Sequence, residues 1–249
     1  EAGARVIATD LDKFWTKIIP CNGGGVNRCI PLEILHSEVK ALPEDITYVD
    51  IIFSEGSVSV NNRCKIHTLP ADDFPALPDV SGGTAIEVIG LPDKIKRVLP
   101  AVGDSDTRYT LNGIQIDLAA GHIVGTDGHR LHIDDIDKIK DAQGILIPKK
   151  AAELIVKHQA SDTVTHGKDM ASFDLAGGTM ITRLIDGNYP DYTKVMPSGH
   201  PVKVRFQGNE LLKILEGAVP LASGQTKAIR LIINGKIEIK SMNPSLGEY

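Results

Sequence analysis

Positive charge is not in excess in this chain: 27 lysines and arginines face 32 aspartates and glutamates, for a formal net charge of −5. That excludes a protein coated in cations, though not a local basic face. Long apolar runs are also missing. No stretch approaches the roughly 18 residues of a membrane span, and the first residues do not read basic-then-apolar like a secretory leader. No membrane partner is expected. Cysteine is scarce as well. Cys21, Cys29 and Cys64 form no C-x-x-C pair and are odd in number, which fits reduced thiols in a cytoplasmic protein. No histidines stand at matching spacing, so neither a zinc site nor another cofactor is expected.

What is present is ample core material, with 42% apolar residues, and a length of 249 residues that predicts more than one domain. The chain also repeats itself at long period. "VIATD" ending at Asp10 recurs as "IVGTD" ending at Asp127, and "IPLEILHSEVKAL" from Ile30 recurs as "IPKKAAELIVKHQ" from Ile147, both 117 residues on. "TLPADDFP" from Thr68 aligns with "RLIDGNYP" from Arg183. A partial third copy follows, in which "LPDKIKRVL" resembles "QGNELLKIL" and Asn112-Gly113 matches Asn234-Gly235. The complete copy runs from about Thr84 to Pro197. The order is half, whole, half: 1–79, 80–198 and 199–249.

Within the complete copy "IEVIG" reads as a strand. "LPDKIKRVLPAV" reads as a helix opened by proline, with Ile95, Val98 and Leu99 inward. "YTLNGIQIDLAAGHIVGTD" reads as two strands joined at Ala119-Ala120-Gly121. "IPKKAAELIVKH" is a second helix with Ala151, Ala152, Leu154 and Ile155 inward, and a hairpin turns at Gly177-Gly178. Two helices and about eight short strands predict an α+β domain with its helices on one face of antiparallel sheet.

"VGTDGHRLH", Val124 to His132, invites a catalytic reading. Asp127 and His129 could form an acid/base pair, with Arg130 as an oxyanion clamp in a hydrolase or nuclease. Against it, no nucleophile or second carboxylate stands nearby, as nuclease sites need, and the first copy has "ATDLDKF" there. His122, His129 and His132 fit no zinc spacing. Asp127-Gly128 also suits a plain turn at a strand end. "CNGGGVN", Cys21 to Asn27, lacks the Gly-Lys-Ser/Thr of a phosphate loop and reads as a connector.

The ordered motifs "TLPADDFP", "TRYTLNGI", "GTDGHRLH", "ILIPKKAAEL" and "LIDGNYPDYTKVMP" together resemble the bacterial DNA polymerase III beta subunit, the DNA sliding clamp. The resemblance covers essentially the whole chain. It implies repeated clamp domains of two helices on antiparallel sheet, a head-to-tail homodimer ring around duplex DNA, and no catalysis or cofactor. It also implies a processivity role in DNA replication, with the replicative polymerase, clamp-loader subunits and repair proteins docking by short linear peptides. Carried over by motif, the peptide cleft comprises Leu111, Thr126, Gly128, His129, Arg130 and Leu131, with Pro190, Lys194 and Val195. This chain departs from the family in extent, with half of the first and half of the third domain expected to be missing. It departs also in the loop before Tyr109: Lys96 to Arg108 is 12 positions, against 17 from Lys213 to Arg230.

Sliding calls for phosphate attraction without base readout. Lys94, Lys96 and Arg97 on the first helix, and Lys149 and Lys150 with Lys157 on the second, are the expected DNA-facing cations. Arg108 and Tyr109 are added from the adjoining loop.

Overall fold

The computed structural model describes residues 3–104, 107–197, 199, 204–222, 228–234, 236–243 and 247–248. The chain divides into two compact units, Glu1–Tyr192 and Thr193–Tyr249.

The first unit opens with β1 (Gly3–Thr9), β2 (Lys13–Pro20), β3 (Arg28–Cys29), α1 (Leu32–Lys40), β4 (Ile51–Ser54), β5 (Ser57–Val60), β6 (Ile66–His67) and β7 (Leu69–Pro70). There follow β8 (Thr84–Glu87), α2 (Leu91–Val98), β9 (Gly113–Asp117), β10 (His122–Thr126), β11 (Leu131–Asp135), β12 (Ile145–Pro148), α3 (Lys149–Lys157), β13 (Thr163–His166), β14 (Met170–Leu175) and β15 (Gly178–Arg183). From Thr84 to Arg183 the described residues hold two α-helices and eight strands, the α+β content expected. Residues 21–27 form no regular element.

Two antiparallel sheets organise this copy. The smaller has the order β11-β10-β9-β12, the larger β1-β2-β15-β14-β13-β8. α2 packs on β10 and β11, α3 packs on β9 and β12, and the helices pack against each other. Both therefore cover the same face of the smaller sheet, side by side. Gly125 on β10 permits the approach, since a Cβ there would come within 2.6 Å of the Val98 carbonyl oxygen.

α2 has no side-chain cap of its own. It follows Gly90 in the left-handed region (φ 71°), and its first N–H, on Leu91, is taken by the Asp162 carboxylate at 3.1 Å, from the loop before β13. Leu91, Pro92, Ile95 and Val98 are buried. Leu99 is only half-buried, in a 3-10 turn over Leu99–Ala101, because Pro100 has no N–H with which to continue the helix. In α3, Ala151, Ala152 and Ile155 are buried as expected, while Leu154 packs at the margin. Each fully buried isoleucine or leucine here, such as Ile95, Ile114, Ile147 and Ile155, contributes roughly 1.5–3 kcal/mol.

Both strands expected between Tyr109 and Asp127 are formed, but the first starts later than expected. Tyr109–Asn112 is a 3-10 turn, and β9 begins only at Gly113. The backbone there is bonded elsewhere: Leu111 N–H donates to Arg108 O, and Gly103 N–H donates to Leu111 O.

The larger sheet joins strands of both copies. β2 pairs with β15 through Thr16↔Thr179, Met180↔Trp15 and Ile181↔Phe14. Trp15 on β2 meets the His158 ring edge-on, with centroids 4.8 Å apart. A small separate core of Val58, Val60 and Ile66 lies under α1, packed by Ile30, Leu35 and Leu42.

In the second unit are α4 (Gly208–Ala218), β16 (Arg230–Asn234), β17 (Lys236–Lys240), β18 (Met242–Asn243) and β19 (Gly247–Glu248). α4 runs into a 3-10 turn over Val219–Leu221 as α2 runs into Leu99–Ala101, with a proline second in each. The third-copy match extends to Gly235, which lies outside the described residues. Among the described residues no helix is long and apolar enough to cross a membrane.

Candidate functional site

The segment from Thr126 to Arg130 is a closed hydrogen-bonded turn between β10 and β11. Thr126 Oγ1 donates to Arg130 O at 2.6 Å and accepts from Gly128 N–H at 3.0 Å. One Asp127 oxygen accepts the backbone N–H groups of His129 and Arg130 at 2.9 and 3.0 Å, and the other takes Arg130 Nε at 3.0 Å. The His129 and then the Arg130 backbone N–H groups hold the Asp127 carboxyl well below its ordinary value, at about 2.

The same turn recurs 117 residues earlier without the histidine or the arginine. Thr9 Oγ1 donates to Lys13 O and accepts from Leu11 N–H, and Asp10 accepts from the N–H groups of Asp12 and Lys13. Lys13 Nζ lies 2.6 Å from the second Asp10 oxygen, as Arg130 lies beside Asp127. Leu11 and Gly128 share the left-handed conformation, φ 75° and 87°. Asp127 is thus an architectural carboxylate. The hydrolase reading on Asp127, His129 and Arg130 has no support: both carboxylate oxygens are engaged in the turn, and a copy lacking His and Arg builds it equally well.

The three histidines do not converge. His122 Nδ1 bonds the Tyr192 hydroxyl at 2.9 Å, His132 Nδ1 lies 3.0 Å from Arg97 O, and His129 is exposed. Among the described residues no group of three metal-ligating side chains exists.

Around the turn the structure brings together several of the residues carried over for a cleft. Leu111 is buried, Leu131 is half-buried, and Pro190 is exposed. Gly128 lies under Arg108, whose Nη1 would stand 2.6 Å from a Cβ there and whose Nη2 donates to Asp127 O at 3.4 Å. Tyr189 was passed over in the sequence although it stands inside "LIDGNYPDYTKVMP". Its hydroxyl is buried near the Thr126 backbone N–H without a well-formed hydrogen bond, and burial pushes it up to about 12. Lys194 and Val195 lie in the 3-10 turn Tyr192–Val195, beyond the boundary of the first unit.

The cations separate into four groups. Lys96 and Lys150 are exposed, with no ion pair among the described residues, and Lys157 ends α3 on the surface. Lys94 and Arg97 are held by β11. Lys94 Nζ donates to Asp135 O at 2.6 Å and lies 3.9 Å from Asp134, and Arg97 Nη1 donates to Asp134 Oδ2 at 2.6 Å. Lys149 stands 4.0 Å from Asp104. Arg108 belongs with the Thr126–Arg130 turn, and Tyr109 is exposed with its ring against Gly187.

These features define an α+β domain with a closed, hydrogen-bonded turn that recurs along the chain and a pair of lysine-bearing helices. Residues 86–191 match the family described as DNA polymerase III beta subunit, central domain. Over that segment the chain is similar to the central domain of DNA polymerase III beta subunits, the sliding clamps. It is 28% identical over 236 residues to the beta sliding clamp of Pseudomonas aeruginosa, covering 88% of this chain and 64% of that protein. It is 29% identical over 201 residues to that of Staphylococcus aureus strain Mu50, covering 76% and 53%. The chain therefore spans less than two thirds of the length of these relatives. A crystal structure of the Pseudomonas aeruginosa DnaN sliding clamp bound to griselimycin superposes with a TM-score of 0.83 at 26% identity, over 98% of this chain and 71% of that one. The Bacillus subtilis clamp, at 23% identity and a TM-score of 0.83, shows the same fold.

Proposed function

We propose that this chain is the working middle of a sliding clamp: a non-catalytic processivity factor that surrounds duplex DNA, holds the replicative polymerase to it, and acts in the cytoplasm. In the full-length protein two copies close into a ring. The polymerase, clamp-loader subunits and repair proteins dock short peptides beside the Thr126–Arg130 turn, where Leu111, Leu131, Pro190 and Val195 supply apolar contact. Thr126, His129, Arg130 and Lys194 supply the polar rim. The same region would take griselimycin, which the Pseudomonas aeruginosa relative binds.

The observation that carries the reading is the placement of Lys149 and Lys150. They occupy the first turn of α3, which has no acidic residue there. A helix N-terminus carries partial positive charge, so the exposed Lys150 opposes it by about 0.3–1 kcal/mol, and the partly exposed Lys149 adds to the same repulsion. Stability alone would favour aspartate or glutamate at those positions. Lysines kept there beside Lys96 on the adjacent helix suit a surface whose work is attracting phosphate.

The test is a titration of duplexes of unrelated sequence at several salt concentrations. Replacing Lys149 and Lys150 by alanine should weaken binding equally on all of them, and each lost contact should reduce the salt slope by about 0.9. Losses that depend on sequence, or an unchanged slope, would remove the proposal.

A further inference from the structure

At the end of the first unit four polar side chains stand in a row. The Tyr192 hydroxyl donates to Asp117 Oδ2 at 3.0 Å and lies 2.9 Å from His122 Nδ1, and His122 Nε2 is 3.7 Å from Asp135. Tyr192 is only 6% exposed, and its ring meets the His122 ring edge-on. The other Asp117 oxygen accepts the Ala120 N–H at 2.9 Å, within the turn that joins β9 to β10.

The proton directions follow from the donor inventory. An ionised carboxylate only accepts, so the single hydroxyl proton of Tyr192 goes to Asp117. The phenolic oxygen then has only lone pairs left for His122, so His122 must carry its proton on Nδ1. Burial and then the Asp117 carboxylate hold the tyrosine well above its ordinary ionisation range, so the hydroxyl keeps that proton. A buried hydroxyl satisfied on both sides fixes a backbone position much more firmly than packing of the ring alone.

Tyr192 is both the last residue of the first unit and the first residue of the 3-10 turn Tyr192–Val195. Two residues before it is Pro190, and three before it Tyr189 turns its buried hydroxyl to Thr126. We propose that the Asp117–Tyr192–His122 network is an anchor that positions the chain around Tyr192, and with it Tyr189 and Pro190, for the peptide-docking surface. The three anchor residues touch no peptide. They act by holding the strip of chain that does, and this role rests on the docking reading above.

The anchor is tested with Tyr192→Phe, which removes only the hydroxyl, with Asp117→Asn, and with the pair combined, all in the full chain. The readouts are amide hydrogen exchange and the affinity for griselimycin, used as the probe. Tyr192→Phe should speed exchange in 189–195 on the order of 10-fold, the net loss of the two hydrogen bonds its hydroxyl makes, with β9 and α3 unchanged. Griselimycin affinity should fall by a similar factor. Asp117→Asn, which removes the charge but keeps a hydrogen-bonding group, should act more weakly, and the double variant should be no worse than Tyr192→Phe, because the hydroxyl that Asp117 holds is already gone. Unchanged exchange in 189–195, or exchange raised throughout the unit, overturns the anchor. Faster exchange with undiminished griselimycin binding overturns its positioning role while leaving the docking reading intact. A wild-type chain that binds no griselimycin overturns the docking reading, and the anchor's purpose with it.

Discussion

Replacing Asp134 by asparagine isolates what β11 does to the cationic helices. In the native chain its carboxylate holds Arg97 at 2.6 Å and lies 3.9 Å from Lys94. The Arg97 side chain is 64% exposed, that of Asp134 only 16%. Arg97 is thus free to swing towards a phosphate, but it must first leave a mostly buried acid. Such a partly exposed pair contributes at most about 1 kcal/mol to stability, so Asp134→Asn should lower the melting temperature only slightly. Its effect on DNA should be larger and of opposite sign. If Arg97 then pairs with phosphate, one more counterion is released and the salt slope steepens by about 0.9. Between 50 and 200 mM salt, affinity would then fall by a further factor of ~3.5 relative to wild type. The assay is fluorescence anisotropy of a labelled random duplex at four salt concentrations. Asp79→Asn, which makes the same change in net charge at a fully exposed turn, serves as control. An unchanged slope in Asp134→Asn, or an equal change in the control, would show that Arg97 never faces the phosphates.

Other outcomes follow from the same geometry. Lys150→Ala should stabilise α3 by a few tenths of a kcal/mol, relieving the clash with the helix dipole, while weakening DNA binding; thermal melts beside anisotropy would show the opposite signs. Leu131→Ser should reduce griselimycin affinity by on the order of 2 kcal/mol, as loss of an apolar anchor does, and His129→Ala only modestly; calorimetric titration checks both. Because the Asp127 pKa is depressed to about 2, its contribution to the turn is complete above the ordinary value near 3.8. It disappears as pH falls through about 2. Carboxyl chemical shifts followed by NMR should titrate there, and a midpoint near 4 would mean the turn is not held as described. Ile155→Ala should cost 2–5 kcal/mol as a buried core deletion, and Leu154→Ala clearly less, measured by denaturant unfolding.

The sequence by itself determined the repeat, the α+β content and the identity of the turn. Each is written in local chemistry. The Thr-Asp pair closes its own backbone whether Leu-Asp-Lys or Gly-His-Arg follows, and "ATDLDKF", with neither histidine nor arginine, argues against catalysis from the amino-acid order alone. Apolar spacing placed Ile95, Val98, Ala151, Ala152 and Ile155 inward, because a helix face depends on neighbours three and four residues away. The tertiary structure alone decided what depends on distant residues. The strand expected from Tyr109 begins only at Gly113, because Gly103 and Arg108 take backbone groups of Leu111 in the 3-10 turn before it. Lys94 and Arg97 look like Lys96 in sequence, yet β11 brings Asp134 and the Asp135 carbonyl to them from about forty residues away. Tyr189 and Tyr192 stood in a quoted motif without distinction. Only folding set one hydroxyl beside Thr126 and the other between Asp117 and His122, some seventy residues earlier. Periodicity records which way a side chain points; it holds no information on which charge or hydroxyl it will meet there.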